Sequence, residues 1–264
     1  MPPIRSANIN VMDQAARKAA RHLIRDFGEV EQLQVSIKGP GDFVSAADRK
    51  AERILRDELS KARPNFGFLM EESGEIPSKD GHRWIIDPLD GTTNFLHGIP
   101  HFALSIGLEW RGELIAGLVY DPIKDETFVA EKGAGAFLNE RRLRVSRRND
   151  FSRAMIGCGL PVLDWAGREK GFAAQLERVS DNVAGLRRLG TASLDLAYVA
   201  AGRFDGFWEY GLKPWDVAAG IILVREAGGI VNHLEGEQPW SEPGTLVASN
   251  ADLHSPLKTL LASG

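Results

Sequence analysis

The chain has 264 residues, enough for one large domain or two coupled ones around a sizeable core. With 43% hydrophobic and 26% charged residues it has the make-up of a soluble globular protein, and a net charge of −4 gives no overall basic field to recruit nucleic acid. The single cysteine, Cys158, excludes an intrachain disulfide and fits a reducing compartment. It reads as a small buried hydrophobe rather than a nucleophile. The first residues lack the apolar core of a secretory signal, and the longest apolar run, residues 217–224, is too short to span a bilayer. A cytoplasmic protein without a membrane partner is expected.

Ile9, Met12, Ala16, Ala19, Leu23, Ile24 and Phe27 recur at helical spacing, with Gly28 as a stop. Leu33, Val35 and Ile37 alternate as in a strand, and Lys38 to Asp42 reads as a loop. Ser45 and Asp48 make an S-x-x-D start for a helix over residues 46–62, with Ala51, Ile54, Leu55 and Leu59 inward. Phe66 to Met70 is an apolar run ending in Glu71 and Glu72.

Trp84, Ile85 and Ile86 read as a short buried strand that runs into Asp87-Pro88-Leu89-Asp90-Gly91-Thr92-Thr93. Pro88 stiffens this loop and Gly91 permits a tight bend. Standing alone, D-P-x-D reads as a turn with one capping and one solvated acid. A strand before it and Gly-Thr-Thr after it favour two carboxylates presented to a hard cation such as Mg²⁺. Two strands that each deliver acids at their C-terminal ends point to a shared crevice.

Strand-like runs follow at 102–109, 113–120, 127–130 and 136–138, separated by turn signals, and predict an antiparallel meander. Arg141, Arg142, Arg144, Arg147 and Arg148 form a basic cluster, read as a solvated hairpin rim or as a contact for an anionic partner such as RNA. No nucleic-acid module signature accompanies it. The second half alternates: strand 154–159, helix 165–179, strand 186–189, helix 193–201, strand 204–210, a helix opened by Pro214, strand 246–249 and a last helical run from Pro256 to Leu261. The pattern predicts an α+β or α/β fold with sheets layered between helices. It divides into residues 1–148, the half with the candidate metal-binding acids, and 149–264, an α/β half.

The D-P-L-D-G-T stretch resembles the metal signature of the inositol monophosphatase family. Asp42-Phe43-Val44-Ser45-Ala46-Ala47-Asp48, Met70-Glu71-Glu72-Ser73 (with Met70 where the family has Gly) and Trp215-Asp216-Val217-Ala218-Ala219-Gly220 are similar to its other motifs, in family order. The resemblance runs over nearly the whole chain. It implies the five-layer α-β-α-β-α sandwich of the inositol monophosphatase and fructose-1,6-bisphosphatase type, a homodimer, and two or three Mg²⁺ ions. It further implies metal ligation by Glu71, Asp87, Asp90, Asp216 and the Leu89 carbonyl, with Asp48 near a water in the metal shell. Thr92 would orient the attacking water, with Glu71 or Asp48 accepting its proton. Substrate contacts would come from Asp90, Gly91, Thr92, Gly190, Thr191, Ala192, Glu209 and Asp216, Glu209 being the polyol-binding glutamate.

Taken on their own, Asp48 and Asp216 are also helix-start acids, and Glu209 a strand-end acid. The N–H groups after Gly190 are open to phosphate or sugar oxygens. His97 and His101 lack zinc-ligand spacing and read as structural. The activity implied is lithium-sensitive hydrolysis of inositol 1-phosphate. Histidinol phosphate, fructose 1,6-bisphosphate and 3′-phosphoadenosine nucleotides are the alternative substrates within the superfamily. A regulatory protein acting through transcription-factor or RNA contact is the reading from another class.

Overall fold

The computed structural model describes residues 6–28, 35–39, 42–160, 169–242 and 244–262. Helix α1 (Ala7–Phe27) starts where the Ser6 hydroxyl accepts the Ile9 N–H at 3.3 Å. Strands β1 (Val35–Gly39) and β2 (Asp42–Ser45) form an antiparallel pair that leads into α2 (Ala46–Ala62). The loop expected over Lys38 to Asp42 is therefore shorter, because Gly39 already pairs with Asp42. Leu33, Pro40 and Gly41 lie outside the described residues.

The first sheet contains β3 (Gly67–Met70), β4 (Gly74–Ile76), β5 (His82–Asp90), β6 (Ala103–Trp110), β7 (Glu113–Asp121), β8 (Glu126–Glu131), β9 (Gly135–Leu138) and β10 (Arg141–Arg142), with the short α3 (Thr92–Leu96) after β5. The strand order is β10-β9-β8-β7-β6-β5-β3-β4. From β6 to β9 it is the expected antiparallel meander, extended at its two ends by antiparallel pairing with β5 and β10, whereas β3 and β5 are parallel neighbours. β4 was not anticipated: its three residues are all exposed and leave no apolar pattern.

The second sheet, ordered β12-β11-β13-β15-β14, contains β11 (Met155–Cys158), β12 (Gly185–Arg187), β13 (Gly206–Tyr210), β14 (Ile230–His233) and β15 (Thr245–Ser249). The helices of this half are α4 (Glu169–Ser180), α5 (Ala192–Ala200), α6 (Pro214–Glu226) and α7 (Ala251–Ala262). Three expectations shift here. The helix predicted from 165 is described from Glu169, residues 165–168 lying outside the described set. The strand predicted to Leu189 stops at Arg187, because Leu189 turns toward the first half, where its carbonyl accepts from Asn94 at 2.8 Å. The last helix begins at Ala251, five residues before Pro256, with Asn250 Oδ1 capping the Leu253 N–H at 3.0 Å. Edge strand β14, which pairs with β15 alone, was not anticipated either.

The elements stack as five layers: α1 and α2, the eight-stranded sheet, α5 and α6, the five-stranded sheet, α4 and α7. β5 explains why its sequence is a continuous apolar run. Trp84 and Ile86 pack toward α1 and α2, Ile85 packs toward α5 and α6, and none of the three is exposed.

The central helix α6 lies very close to the first sheet. Gly107 and Gly117 sit opposite each other on β6 and β7. A Cβ at Gly107 would come within 2.7 Å of the Ala218 Cβ, and one at Gly117 within 2.6 Å of Ile222 and 2.9 Å of Ala219. On the other side of α6, a Cβ at Gly220 would meet Leu196 of α5 at 2.4 Å. Small residues thus set the depth at which α6 sits, and α6 carries Asp216. Gly117→Ala is expected to destabilise the protein by about 1–3 kcal/mol through overpacking. Gly171→Ala, in α4 with no atom within 4 Å of the added methyl, should be neutral or stabilising by up to ~1 kcal/mol. Denaturant melts of both variants check this; equal stability of the two would disprove the close contact.

Candidate metal centre

The parallel pairing of β3 with β5 puts the C-terminal ends of both strands side by side, and the Glu71 N–H donates to the Ile86 carbonyl at 3.2 Å. Glu71 follows β3 directly, and Asp87 and Asp90 close β5. The ladder with β6 slips between Asp87 and Asp90, the bulge that contains Pro88, which has no N–H to contribute. Inside the bulge, Asp87 Oδ1 accepts the Leu89 N–H at 2.9 Å. Gly91 then adopts φ 92° and turns the chain into α3. Its hydrogen also faces Thr191 Oγ1, which a Cβ would approach to 2.5 Å, so glycine is required there twice over.

Thr92 Oγ1 lies 2.9 Å from the Leu89 carbonyl and 3.2 Å from Asp48 Oδ2. Asp48 is buried in the first turn of α2. Ligand oxygens of Asp48, Glu71 and Glu72 all fall within 4.8 Å of one another. The Glu72 N–H donates to Glu52 Oε2 at 2.8 Å, and the Ser73 hydroxyl bonds the other Glu52 oxygen, so the buried Glu52 fixes the turn after β3. Glu72, which ends the same apolar run as Glu71, thus stands among the acids.

The second half supplies two helix N-termini. At α5, the Ser193 N–H donates to Asp90 Oδ2 at 2.7 Å. The sequence left the N–H groups around Gly190, Thr191 and Ala192 open to a phosphate or sugar oxygen. Here Asp90 takes up this helix start, since a carboxylate is the nearest anion and the start of a helix attracts one. The Thr191 hydroxyl turns away to the His101 carbonyl at 3.1 Å. Asn94 Nδ2 fastens the same junction, donating to the His101 carbonyl at 2.9 Å and to the Leu189 carbonyl at 2.8 Å. At α6, the Lys213 N–H donates to Asp216 Oδ2 at 2.7 Å and the Asp216 N–H returns to the Lys213 carbonyl at 3.1 Å.

Glu209 sits near the end of β13, level with Gly159 after β11. A Cβ at Gly159 would fall 1.8–2.2 Å from the Glu209 carboxylate atoms, so a glycine is needed for that side chain to fit. Asp195, one turn into α5, is 1% exposed, and neither of its carboxylate oxygens has a hydrogen-bond partner. Burial pushes Asp195 and Glu209 well above the usual carboxylate range. Asp90 adds to both, and Asp195 adds to Glu209. Burial also pushes the Cys158 thiol up to about 12, so it stays an inert buried thiol as expected. Burial and then Lys124 lower His101 to about 4, leaving it neutral; its backbone carbonyl is the part the junction uses.

Asp87, Asp90 and Asp216 form one electrostatic unit. Asp87 is raised well above its ordinary value by burial, then by Glu71, Asp90, Asp216 and Asp48. Asp216 is raised by burial, then by Asp90, with Glu71 adding. Asp90 rises to about 6 through burial, against the hydrogen bonds from Ser193. These carboxylates, Asp87 buried and Asp90 and Asp216 half-buried, bond no cationic side chain among the described residues, and such a set of oxygen donors fits a hard divalent cation.

A pH dependence follows from the raised values. Folding raises these carboxyl groups, so their contribution to stability is complete below about pH 4. It is lost as the pH rises through about 6 for Asp90 and through the elevated values of Asp87 and Asp216. Millimolar Mg²⁺ should therefore raise the thermal midpoint more at pH 8 than at pH 5. Asp87→Ala combined with Asp216→Ala should reduce that shift while stabilising the metal-free protein at pH 8. An equal shift in the double variant would remove these two acids from the cation site.

The model of the inositol monophosphatase family matches residues 6–263. A protein of Mesorhizobium japonicum named inositol-1-monophosphatase is 60% identical over 93% of this chain and 92% of its own length. The Escherichia coli K12 protein named Nus factor SuhB is 41% identical over 97% of this chain and 94% of its own. The crystal structure of extragenic suppressor protein suhB from Bartonella henselae superposes with a TM-score of 0.94 at 56% identity, covering 98% of this chain and all of that one (100%).

Proposed function

The chain belongs to the inositol monophosphatase family, and from that premise we propose that it hydrolyses inositol 1-phosphate and related polyol phosphates with magnesium. Asp90, itself raised by burial, raises both Asp87 and Asp216, and these three acids stand at converging strand and helix ends; that is the observation that carries this reading. Glu71, Asp87, Asp90, Asp216 and the Leu89 carbonyl would hold two or three ions. When bound, magnesium supplies charge neutralisation, a water of lowered pKa and a counter-charge for the leaving oxygen.

The chain's own groups do the rest. The Thr92 hydroxyl, within reach of Asp48 and the Leu89 carbonyl, orients the attacking water, and Asp48 or Glu71 accepts its proton. Asp90, which now accepts the Ser193 N–H at the start of α5, would be one of the residues holding a cation. With Gly91, Gly190, Thr191 and Ala192 around it, that helix start would then be open to the substrate phosphate. Glu209 accepts hydrogen bonds from vicinal hydroxyls of the polyol, beside Asp216. The enzyme is a lithium-sensitive homodimer of the cytoplasm; no described helix is long and apolar enough to cross a membrane.

The test is phosphate release from inositol 1-phosphate, histidinol phosphate, fructose 1,6-bisphosphate, 3′-phosphoadenosine nucleotides and p-nitrophenyl phosphate. Glu209→Gln should lower kcat/KM for inositol 1-phosphate roughly ten- to hundredfold, the cost of one hydrogen bond to a charged group. Activity on p-nitrophenyl phosphate, which offers no vicinal hydroxyls, should change little, and the Mg²⁺ dependence should stay as it is. A wild-type preference for histidinol phosphate, with no effect of Glu209→Gln, would replace the polyol assignment.

The relatives named Nus factor support a second role through contact with the transcription machinery. A chain carrying Asp90→Asn that has lost phosphatase activity yet complements a deletion in its own organism would establish that role as separate from catalysis.

A further inference from the structure

The basic run in the sequence does not stay together in the fold. Arg148 turns to the buried Asp205, with Nη1 3.1 Å from Oδ1, and is spent on structure. Arg141, Arg142 and Arg144 instead line a hollow of about 320 Å³ together with Arg203, which comes from the connection between α5 and β13. Leu138, Leu143 and Ala201 supply its apolar lining. Arg147 is not part of it.

Arg203 is rigidly held. Both its terminal nitrogens bond the Glu126 carboxylate, and its guanidinium lies 4.8 Å from the Tyr198 ring centre and 5.6 Å from that of Phe128. Arg142 lies 5.9 Å from the centre of the Phe137 ring. Among the described residues, Arg141, Arg142 and Arg144 bond no carboxylate, and Glu126 is the sole acid bonded to any of the four arginines. Three of the four lining arginines are thus left without a bonded carboxylate among the described residues, in a chain whose net charge is −4. Like charges held this close repel, and an anion placed between them relieves that.

Guanidinium forks match phosphate oxygens two at a time. The hollow's volume sits at the lower end of the ~300–1,000 Å³ of small-molecule sites. A lone phosphate, with about two negative charges, would not balance these three arginines. We propose that the hollow between Arg141, Arg142, Arg144 and Arg203 binds a small molecule carrying two or more adjacent phosphate groups. The site is separate from the metal centre. The nine residues of α5 run from Ala192, beside Asp90, to the edge of the hollow at Ala201, a rise of about 13 Å.

Inorganic pyrophosphate titrated calorimetrically into the full chain, in magnesium-free buffer with chelator, tests this. Without cations the metal centre is a cluster of acids and repels the probe. One saturable site is expected, at least tenfold tighter for pyrophosphate than for orthophosphate. Arg141→Ala combined with Arg144→Ala should weaken it at least tenfold. The corresponding double lysine variant should retain part of the affinity, since it keeps the charge and loses the fork. Arg147→Ala should bind as the wild type does. Circular dichroism of the double alanine variant checks that it is folded. Absence of saturable binding at millimolar pyrophosphate overturns the proposal, as does an equal loss in Arg147→Ala, which would mark diffuse attraction. A short single-stranded RNA that displaces pyrophosphate and binds more tightly would assign the hollow to nucleic acid and overturn the small-molecule assignment.

Discussion

Asp90→Asn is expected to lower kcat by ~10³-fold or more while leaving the protein folded. Asparagine keeps the shape of the side chain and can still accept the Ser193 N–H that Asp90 Oδ2 accepts at 2.7 Å. The negative charge is lost, and in the proposed mechanism that charge helps hold more than one ion. Because Asp90 also raises its neighbours Asp87, Asp216 and Glu209, removing its charge should make the metal-free variant at least as stable as the wild type at pH 8. Steady-state kinetics across a Mg²⁺ titration, with thermal melts of the same samples, check both halves. Wild-type activity in excess chelator would sink the metal mechanism. A variant that unfolds would show that Asp90 is chiefly the cap of α5.

Thr92→Ala should lower kcat by ~10²–10⁴-fold with little change in KM, the range for a group that handles a proton in the transition state. The Thr92 hydroxyl has one proton and two acceptors within reach, the Leu89 carbonyl at 2.9 Å and Asp48 Oδ2 at 3.2 Å. It can give that proton to one of them and use its lone pairs to receive another from water. Thr92→Ser keeps the hydroxyl and should recover most of the rate. If the serine variant is as slow as the alanine one, the methyl group is what matters and the role is packing. A change confined to KM would move Thr92 to substrate binding.

The acids of the site were legible because each ends a local pattern. Glu71 follows an apolar run, Asp87 and Asp90 follow another, and Asp216 opens a helix after Pro214. Strand and helix periodicity is a property of neighbours in the chain, so the meander and the two N-terminal helices could be read at the same time. β4 and β14 could not. One is exposed throughout and the other is an edge strand, and neither is buried on the two faces that force a continuous apolar run.

The sequence by itself determined most of the elements, the candidate ligands and the family they resemble, because all three rest on residues adjacent in the chain. Tertiary structure decided which distant residues complete them. Asn94 fastens Leu189 across 95 positions, Ser193 meets Asp90 across 103, and Gly159 leaves room for a carboxylate on a different strand. Asp195 reads in the sequence as one more polar residue of a helix, and becomes a buried acid once α5 is enclosed between two sheets. The basic run likewise looked like a single cluster along the chain. The fold paired Arg148 with the buried Asp205 and brought Arg203 alongside Arg141 and Arg144. Spacing along a chain fixes which face of an element a side chain occupies, whereas which charges share a cavity depends on how the layers pack.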